Sequence, residues 1–248
     1  MCRMMAYWGP PTLMADPLIN SAHSLLRQCT DAREQSSGTS NPDGWGVGWY
    51  IDGIDNPFRY RSATSMVDDH DGCRDVDGLV SARFLAHVRL KSPGSPTEVA
   101  GNAPFVSGPW LFAHNGFVDR YRQGRREELI ASVSPARQES LAGDADSEVV
   151  FALVLDHIDA GLSVPDALRH IITPLADEGG RYAVLLTNGN QLFAARRNNS
   201  LYLRSESNGE GRTTELASEP YDDGPGWIPV NDRTLLTIDS AGIDFSTI

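Results

Sequence analysis

The sequence predicts an α+β protein in which two sheets pack face to face with helices outside. Three observations predict it. Short strand-like runs cluster at both ends of the chain, with helical periodicities between them. Of the 248 residues, 40% are hydrophobic and 22% charged, which suits a sizeable core. No low-complexity linker or internal repeat divides the chain, so residues 1–248 are expected to form one domain.

The elements follow in order. Cys2 to Trp8 reads as a strand stopped by the turn signal Gly9-Pro10-Pro11. Asp16-Pro17 then looks like a cap and a first-turn proline, opening a helix through Leu18, Ala22, Leu25, Leu26 and Cys29. His23 within it is read as a packed or surface histidine, not a ligand. Asp31 to Pro42 is polar and expected to be a loop. Asn41-Pro42-Asp43-Gly44 is a turn leading into a strand whose glycines, Gly44, Gly46 and Gly48, share one bare face. Such a face suits close approach of another backbone or a ligand. Trp45, Val47 and Trp49 take the opposite face, and Phe58 to Arg61 is the expected partner strand. Asp68 to Asp77 reads as a solvated acidic segment, its His70 included.

Arg83 to Leu90 is a strand that puts His87 and Arg89 on one face. Pro109 to Ala113 is another, running into His114-Asn115-Gly116, where it is expected to stop. Asp119 to Val133 reads as a charged helix. Asp144 or Asp146 is expected to cap a longer helix through Ile158, and Ser163 to cap a third that Pro174 kinks or ends. The tail is all strands: a hairpin about Asn188-Gly189-Asn190, a polar loop from Glu206 to Thr213, and short strands up to Ile248.

Composition excludes several function classes. A net charge of −12 argues against nucleic-acid binding, which needs clustered Lys and Arg. Three cysteines, Cys2, Cys29 and Cys73, form no disulfide framework and suit a reducing cytoplasm. No Cys/His cluster has zinc-ligand spacing, so neither a metal nor another cofactor is expected. There is no apolar signal run and no stretch of about 18 apolar residues to span a bilayer.

The chemistry points to the first residues, Met1-Cys2-Arg3. If Met1 is removed, Cys2 carries a thiol and a free α-amine on one carbon. The thiolate is the nucleophile and needs a base. A free α-amine, with a pKa of roughly 7.7–8.0, can supply it at neutral pH. Asn115-Gly116 offers a side-chain amide and a backbone N–H side by side, the two donors of an oxyanion hole; for Asn-Gly alone a tight turn is the commoner reading. Asp146, at a helix start, needs no substrate to be favourable there.

Five stretches together resemble the class II glutamine amidotransferases of the N-terminal-nucleophile hydrolase superfamily. They are Met1-Cys2-Arg3, the run from Asn41 to Tyr50, His87-Val88-Arg89, His114-Asn115-Gly116 and Asp146-Ser147-Glu148. The resemblance implies a four-layer αββα sandwich. It implies Cys2 as nucleophile, with Asn115 and Gly116 as oxyanion donors. It gives Arg89 the α-carboxylate of a glutamyl substrate and Asp146 its α-amine, with Ser92 and His114 in the same pocket. Many members have Arg-Trp and then Thr-His after that strand; here Arg89-Leu90-Lys91-Ser92-Pro93 departs, with Ser92 placed to replace the Thr hydroxyl.

Within the family, Ala103-Pro104-Phe105, the run from Trp110 to Gly116 and Pro225-Gly226-Trp227 are similar to hydrolases that free glutamate from γ-glutamyl thiohistidine-type conjugates. The expected partner is thus a small γ-glutamyl molecule, and the expected activity is amide hydrolysis through a thioester. The alternative is a glutaminase subunit supplying ammonia to a separate synthetase. A homo-oligomer or such a synthetase partner stays open, whereas the lack of an attached synthetase favours the hydrolase.

Overall fold

The computed structural model describes residues 2–35, 38–209 and 211–248. Removal of Met1 concerns a residue outside them. In chain order, strand β1 (Arg3–Leu13) and helix α1 (Leu25–Gln28) precede β2 (Trp45–Trp49), β3 (Phe58–Ser62), α2 (His70–Asp77) and β4 (Val80–Val88). Then come β5 (Phe105–Ser107), β6 (Trp110–Phe117), α3 (Arg126–Ser132), α4 (Pro135–Gln138), α5 (Asp146–Asp159) and α6 (Val164–Asp177). The tail holds β7 (Arg181–Thr187), β8 (Leu192–Arg197), β9 (Tyr202–Asn208), β10 (Gly211–Ala217), β11 (Ile228–Pro229), β12 (Thr234–Ile238) and β13 (Ile243–Thr247). Two antiparallel sheets result, in the orders β11-β9-β10-β1-β4-β2-β3 and β13-β12-β8-β7-β6-β5.

Period-two alternation in β1 explains the layers. Met4 and Ala6 belong to the core that continues through the second sheet to α5 and α6, with Leu111, Phe112, Val150 and Ile172. Met5 and Tyr7 belong to a second core under α1 and α2, with Trp45, Phe84, Leu25 and Val76. Helices therefore cover both outer faces, and the four-layer αββα sandwich is the observed fold. The bare glycine face of β2 allows close approach between layers: a Cβ on Gly48 would lie 2.6 Å from the Leu111 side chain.

Several local expectations are corrected. Strand β1 runs on through Gly9-Pro10-Pro11, because its pairing with β4 is irregular between Trp8 and Thr12, where proline's missing N–H costs no ladder bond. The helix read from Leu18 to Cys29 is two short pieces. His23 leaves the helical path to pack against Glu219, its Nε2 2.5 Å from Oε1, and Ser24 restarts the helix by accepting the Arg27 N–H. The acidic segment folds as α2, because Asp69 caps it at Gly72 and Val76 is buried. The charged helix begins only at Arg126, after a turn with non-helical Gln123 and Gly124. Pro174 lies inside α6 without ending it. The polar loop is instead the β9–β10 hairpin, with Arg212 opposite Ser207.

Candidate active site

The head of β1 is a central position in the first sheet, between β4 and β10. Cys2 lies one residue before it, in phase with inward-facing Met4. Its Sγ accepts the Leu90 N–H at 3.4 Å and is 3.5 Å from the Leu90 carbonyl. Burial pushes the thiol pKa up; the Leu90 contact and the charges of Arg89 and Arg3 pull it back only in part. The resting group is therefore a thiol, and chemistry at neutral pH needs a base beside it.

The Asn-Pro-Asp-Gly turn sets the next wall. Arg89 N–H donates to the Gly44 carbonyl at 2.8 Å, and Asp43 N–H to the Arg89 carbonyl at 3.0 Å. Asp43 Oδ2 accepts the Lys91 N–H at 3.0 Å. The Arg89 guanidinium lies against Gly101, where a Cβ would come within 2.6 Å of Nη2. Arg89 is buried and its Nη1 has no hydrogen-bond partner among the described residues. It is a cation open to a carboxylate.

Asp146 lines the same cleft from the start of α5. Ala145, not an aspartate, is the N-cap, and it makes no side-chain cap bond. One Asp146 oxygen accepts the Ser147 N–H at 2.7 Å, and the other reaches across to the Val118 N–H at 2.9 Å. Asp144 turns away to Arg122 and Arg126.

Strand β6 does not stop at Asn-Gly. Asn115 and Gly116 pair with Ala183 and Tyr182 of β7. Only glycine fits at 116, since any Cβ would collide with the Arg181 carbonyl oxygen. His114 is buried, stacked on Tyr182 with centroids 5.0 Å apart. Its Nε2 is 3.0 Å from the Arg181 carbonyl and must carry the proton, so Nδ1 accepts the Ser147 hydroxyl at 3.0 Å. Burial lowers its pKa and keeps it neutral.

Cys2, Arg89, Ser92, His114, Gly116 and Asp146 line one cleft of about 700 Å³. Ser92 is at its exposed rim. Asn115 is fully buried behind that lining, its Nδ2 3.2 Å from Ser218 Oγ. Ser218 Oγ also accepts the Met4 N–H at 3.1 Å. In this orientation Asn115 Oδ1 is buried without a partner among the described residues. The Ser218 hydroxyl proton also has no acceptor among these contacts. Turning the amide over satisfies both atoms and leaves Nδ2 as the unpaired donor. Among the described residues no group of three or more His, Cys, Asp or Glu could hold a metal, and no helix is long and apolar enough to cross a membrane.

Three residues were missed by sequence reasoning as site components: His87, Ser218 and Glu219. His87 was assigned to the face of Arg89 but given no role. It lines the cleft, and its buried Nδ1 has no partner among the described residues. Burial first, then Arg89, His114 and Arg3, push its pKa down to about 3. Unfolded, it would titrate near 6.5. Between those values the unfolded chain binds the extra proton, so this contribution to stability is full above about 6.5 and is lost as pH falls towards about 3. Melting curves at pH 7.5 and 5 are expected to show a Tm drop that His87→Gln reduces. An equal drop in both proteins would contradict this assignment.

The stacked antiparallel sheets with the chain's head on a central strand define the fold of the N-terminal-nucleophile hydrolases. A glutamine aminotransferase class-II domain protein from Silicibacter pomeroyi superposes with a TM-score of 0.71 at 24% identity, covering 100% of this chain and 99% of that one. The glutamine phosphoribosylpyrophosphate amidotransferase of B. subtilis gives 0.71 at 17% identity, covering 99% of this chain and 49% of its own. The family model for class-II glutamine amidotransferases matches residues 18–212. The chain belongs to the class-II glutamine amidotransferase family. It is 33% identical, over 100% of its length and 97% of the relative's, to the γ-glutamyl-hercynylcysteine sulfoxide hydrolase of Mycobacterium tuberculosis. It is 34% identical, over 98% of each chain, to the protein of that name from Mycolicibacterium smegmatis.

Proposed function

We propose that the chain, read as a single domain over 1–248, hydrolyses the γ-glutamyl amide bond of γ-glutamyl-hercynylcysteine sulfoxide, a step of ergothioneine biosynthesis, in a reducing cytoplasm. The observation that carries this reading is the full-length similarity to two hydrolases of that name. The cleft supports it: about 700 Å³ leaves room beyond a glutamyl group for a bulky leaving amine.

Arg89 takes the glutamyl α-carboxylate through paired hydrogen bonds, and Asp146 takes the α-ammonium. Ser92 and His114 complete the wall around this end. With Met1 removed, the Cys2 α-amine accepts the thiol proton, and the thiolate attacks the γ-carbonyl. Asn115 Nδ2 and the Gly116 N–H take up the oxyanion. The protonated amine then gives its proton to the leaving nitrogen, a glutamyl thioester remains, and water releases glutamate. Ser218 keeps the Asn115 amide turned so that Nδ2 is the free donor. Asn115→Ala is expected to slow kcat by about 10²–10³-fold, the scale of a lost oxyanion donor. Ser218→Ala should do so more weakly at unchanged KM. A lowered Tm with parental kcat in both would make this pair structural only.

Glutamate release from the sulfoxide conjugate and from glutamine, compared under the same conditions, tests the substrate. The conjugate is expected to have the higher kcat/KM. Preference for glutamine would instead support a glutaminase that supplies ammonia.

A further inference from the structure

The third residue of the opening motif, Arg3, takes no part in that chemistry. It is 0% exposed, and its neighbours Glu219 and His23 are 1% and 2% exposed. Arg3 Nε donates to the Cys2 carbonyl oxygen at 2.6 Å, and Nη1 meets Glu219 Oε2 at 3.0 Å. Glu219 is held in turn. His23 Nε2 lies 2.5 Å from Oε1, and the backbone N–H groups of Arg33 and Glu34 donate to Oε2 at 3.1 and 2.8 Å.

We propose that Glu219 is a positioning residue for the nucleophile: through Arg3 it clamps the Cys2 carbonyl and so fixes where the thiol stands. The proposal rests on Cys2 being the nucleophile of the reaction above.

Two features favour positioning over stability alone. Burying ionised groups costs desolvation, and apolar side chains of similar volume often serve stability as well. This cluster also leaves Arg3 Nη2 and His23 Nδ1 buried without partners among the described residues. The second feature is the place it holds. The pairing of β1 with β4 begins at Arg3 opposite Val88, so Cys2 lies one residue outside the ladder. Once Cys2 is the terminal residue, it is tied to the chain only on its carbonyl side, and Arg3 grips that oxygen. A displacement of about 1 Å at a reacting group can cost on the order of 10²-fold in rate.

The network draws on three distant segments. Glu219 follows β10, His23 precedes α1, and Arg33 and Glu34 lie in the loop before β2. Ser218, the preceding residue, contacts both Met4 and Asn115. The Ser218-Glu219 pair therefore touches the supports of both the nucleophile and its oxyanion donor.

The test measures kcat and KM separately for glutamate release, together with Tm, in Glu219→Gln, Arg3→Lys and the double variant Arg3→Met/Glu219→Met. Rates are normalised to the folded fraction from circular dichroism. Arg3→Lys keeps the charge, and the double variant removes both ions together, although His23 Nε2 and the Arg33 and Glu34 N–H groups then lose their acceptor. All three are expected to lower kcat by about tenfold to a hundredfold, with KM within about twofold of the parent. The double variant is expected to lower Tm as well, because those donors are left unpaired, so its kcat is read on the folded fraction. Parental kcat in the folded double variant, or single variants that lose only Tm, would overturn the positioning role. A parent that releases no glutamate from either substrate would overturn the underlying reading instead.

Discussion

Replacing Cys2 with alanine is expected to abolish glutamate release while leaving the fold intact. The loss should reach on the order of 10⁶-fold in kcat, the scale seen when a covalent nucleophile is removed. Among the described residues the sulfur has two polar contacts, both with the Leu90 backbone. Its removal should change stability by about 1 kcal/mol or less. Cys2→Ser should keep little activity, because burial already opposes ionisation of the thiol and a hydroxyl is far harder to deprotonate. The check is single-turnover release of glutamate from folded protein. Residual turnover close to the parent in Cys2→Ala would place the nucleophile elsewhere.

The second large effect is expected at Arg89 and Asp146, the pair proposed to read the amino-acid end of the substrate. Arg89 is buried, lies against Gly101, and has an Nη1 unpartnered among the described residues. Arg89→Lys keeps a charge but not the planar fork. It should lower kcat/KM by on the order of 10²-fold, since a charged hydrogen bond contributes about 1.5–3 kcal/mol. At Asp146 the geometry sharpens the experiment. Each carboxylate oxygen takes one backbone N–H. Asp146→Asn keeps one acceptor and turns an NH₂ on the other N–H, so a stability loss of roughly 1–3 kcal/mol is expected as well. A substrate analogue lacking the α-amine separates the two effects. It should be poor for the parent and lose far less than the true substrate on mutation. Equal losses for both substrates would reduce Asp146 to a brace between α5 and the end of β6.

Local patterns carried much of this architecture. Alternation marked β2 and β4, strand-like runs marked the starts of β1 and β6, and the glycine face of β2 foretold the close layer beneath it. Cys2, Arg89, Ser92, His114, Gly116 and Asp146 could be named from their motifs, and they meet at one cleft. What escaped depends on tertiary register. Ser218 and Glu219 follow an unremarkable strand, and their importance comes from lying across from Met4, Arg3 and His23 once β10 pairs with β1. His23 likewise broke a convincing helical spacing, because its hydrogen bond to Glu219 outweighs continuation of the helix. The β9–β10 hairpin looked like a loop because its distal residues are polar, and polarity alone does not distinguish a solvent-facing ladder from a turn.

Acid-quenched intact-mass analysis during turnover tests the central claim most directly. A chain that begins at Cys2 and transiently carries one glutamyl group on that residue is expected, with no adduct in Cys2→Ala. Full turnover by a chain that retains Met1, or a glutamyl adduct on any other residue, would contradict it.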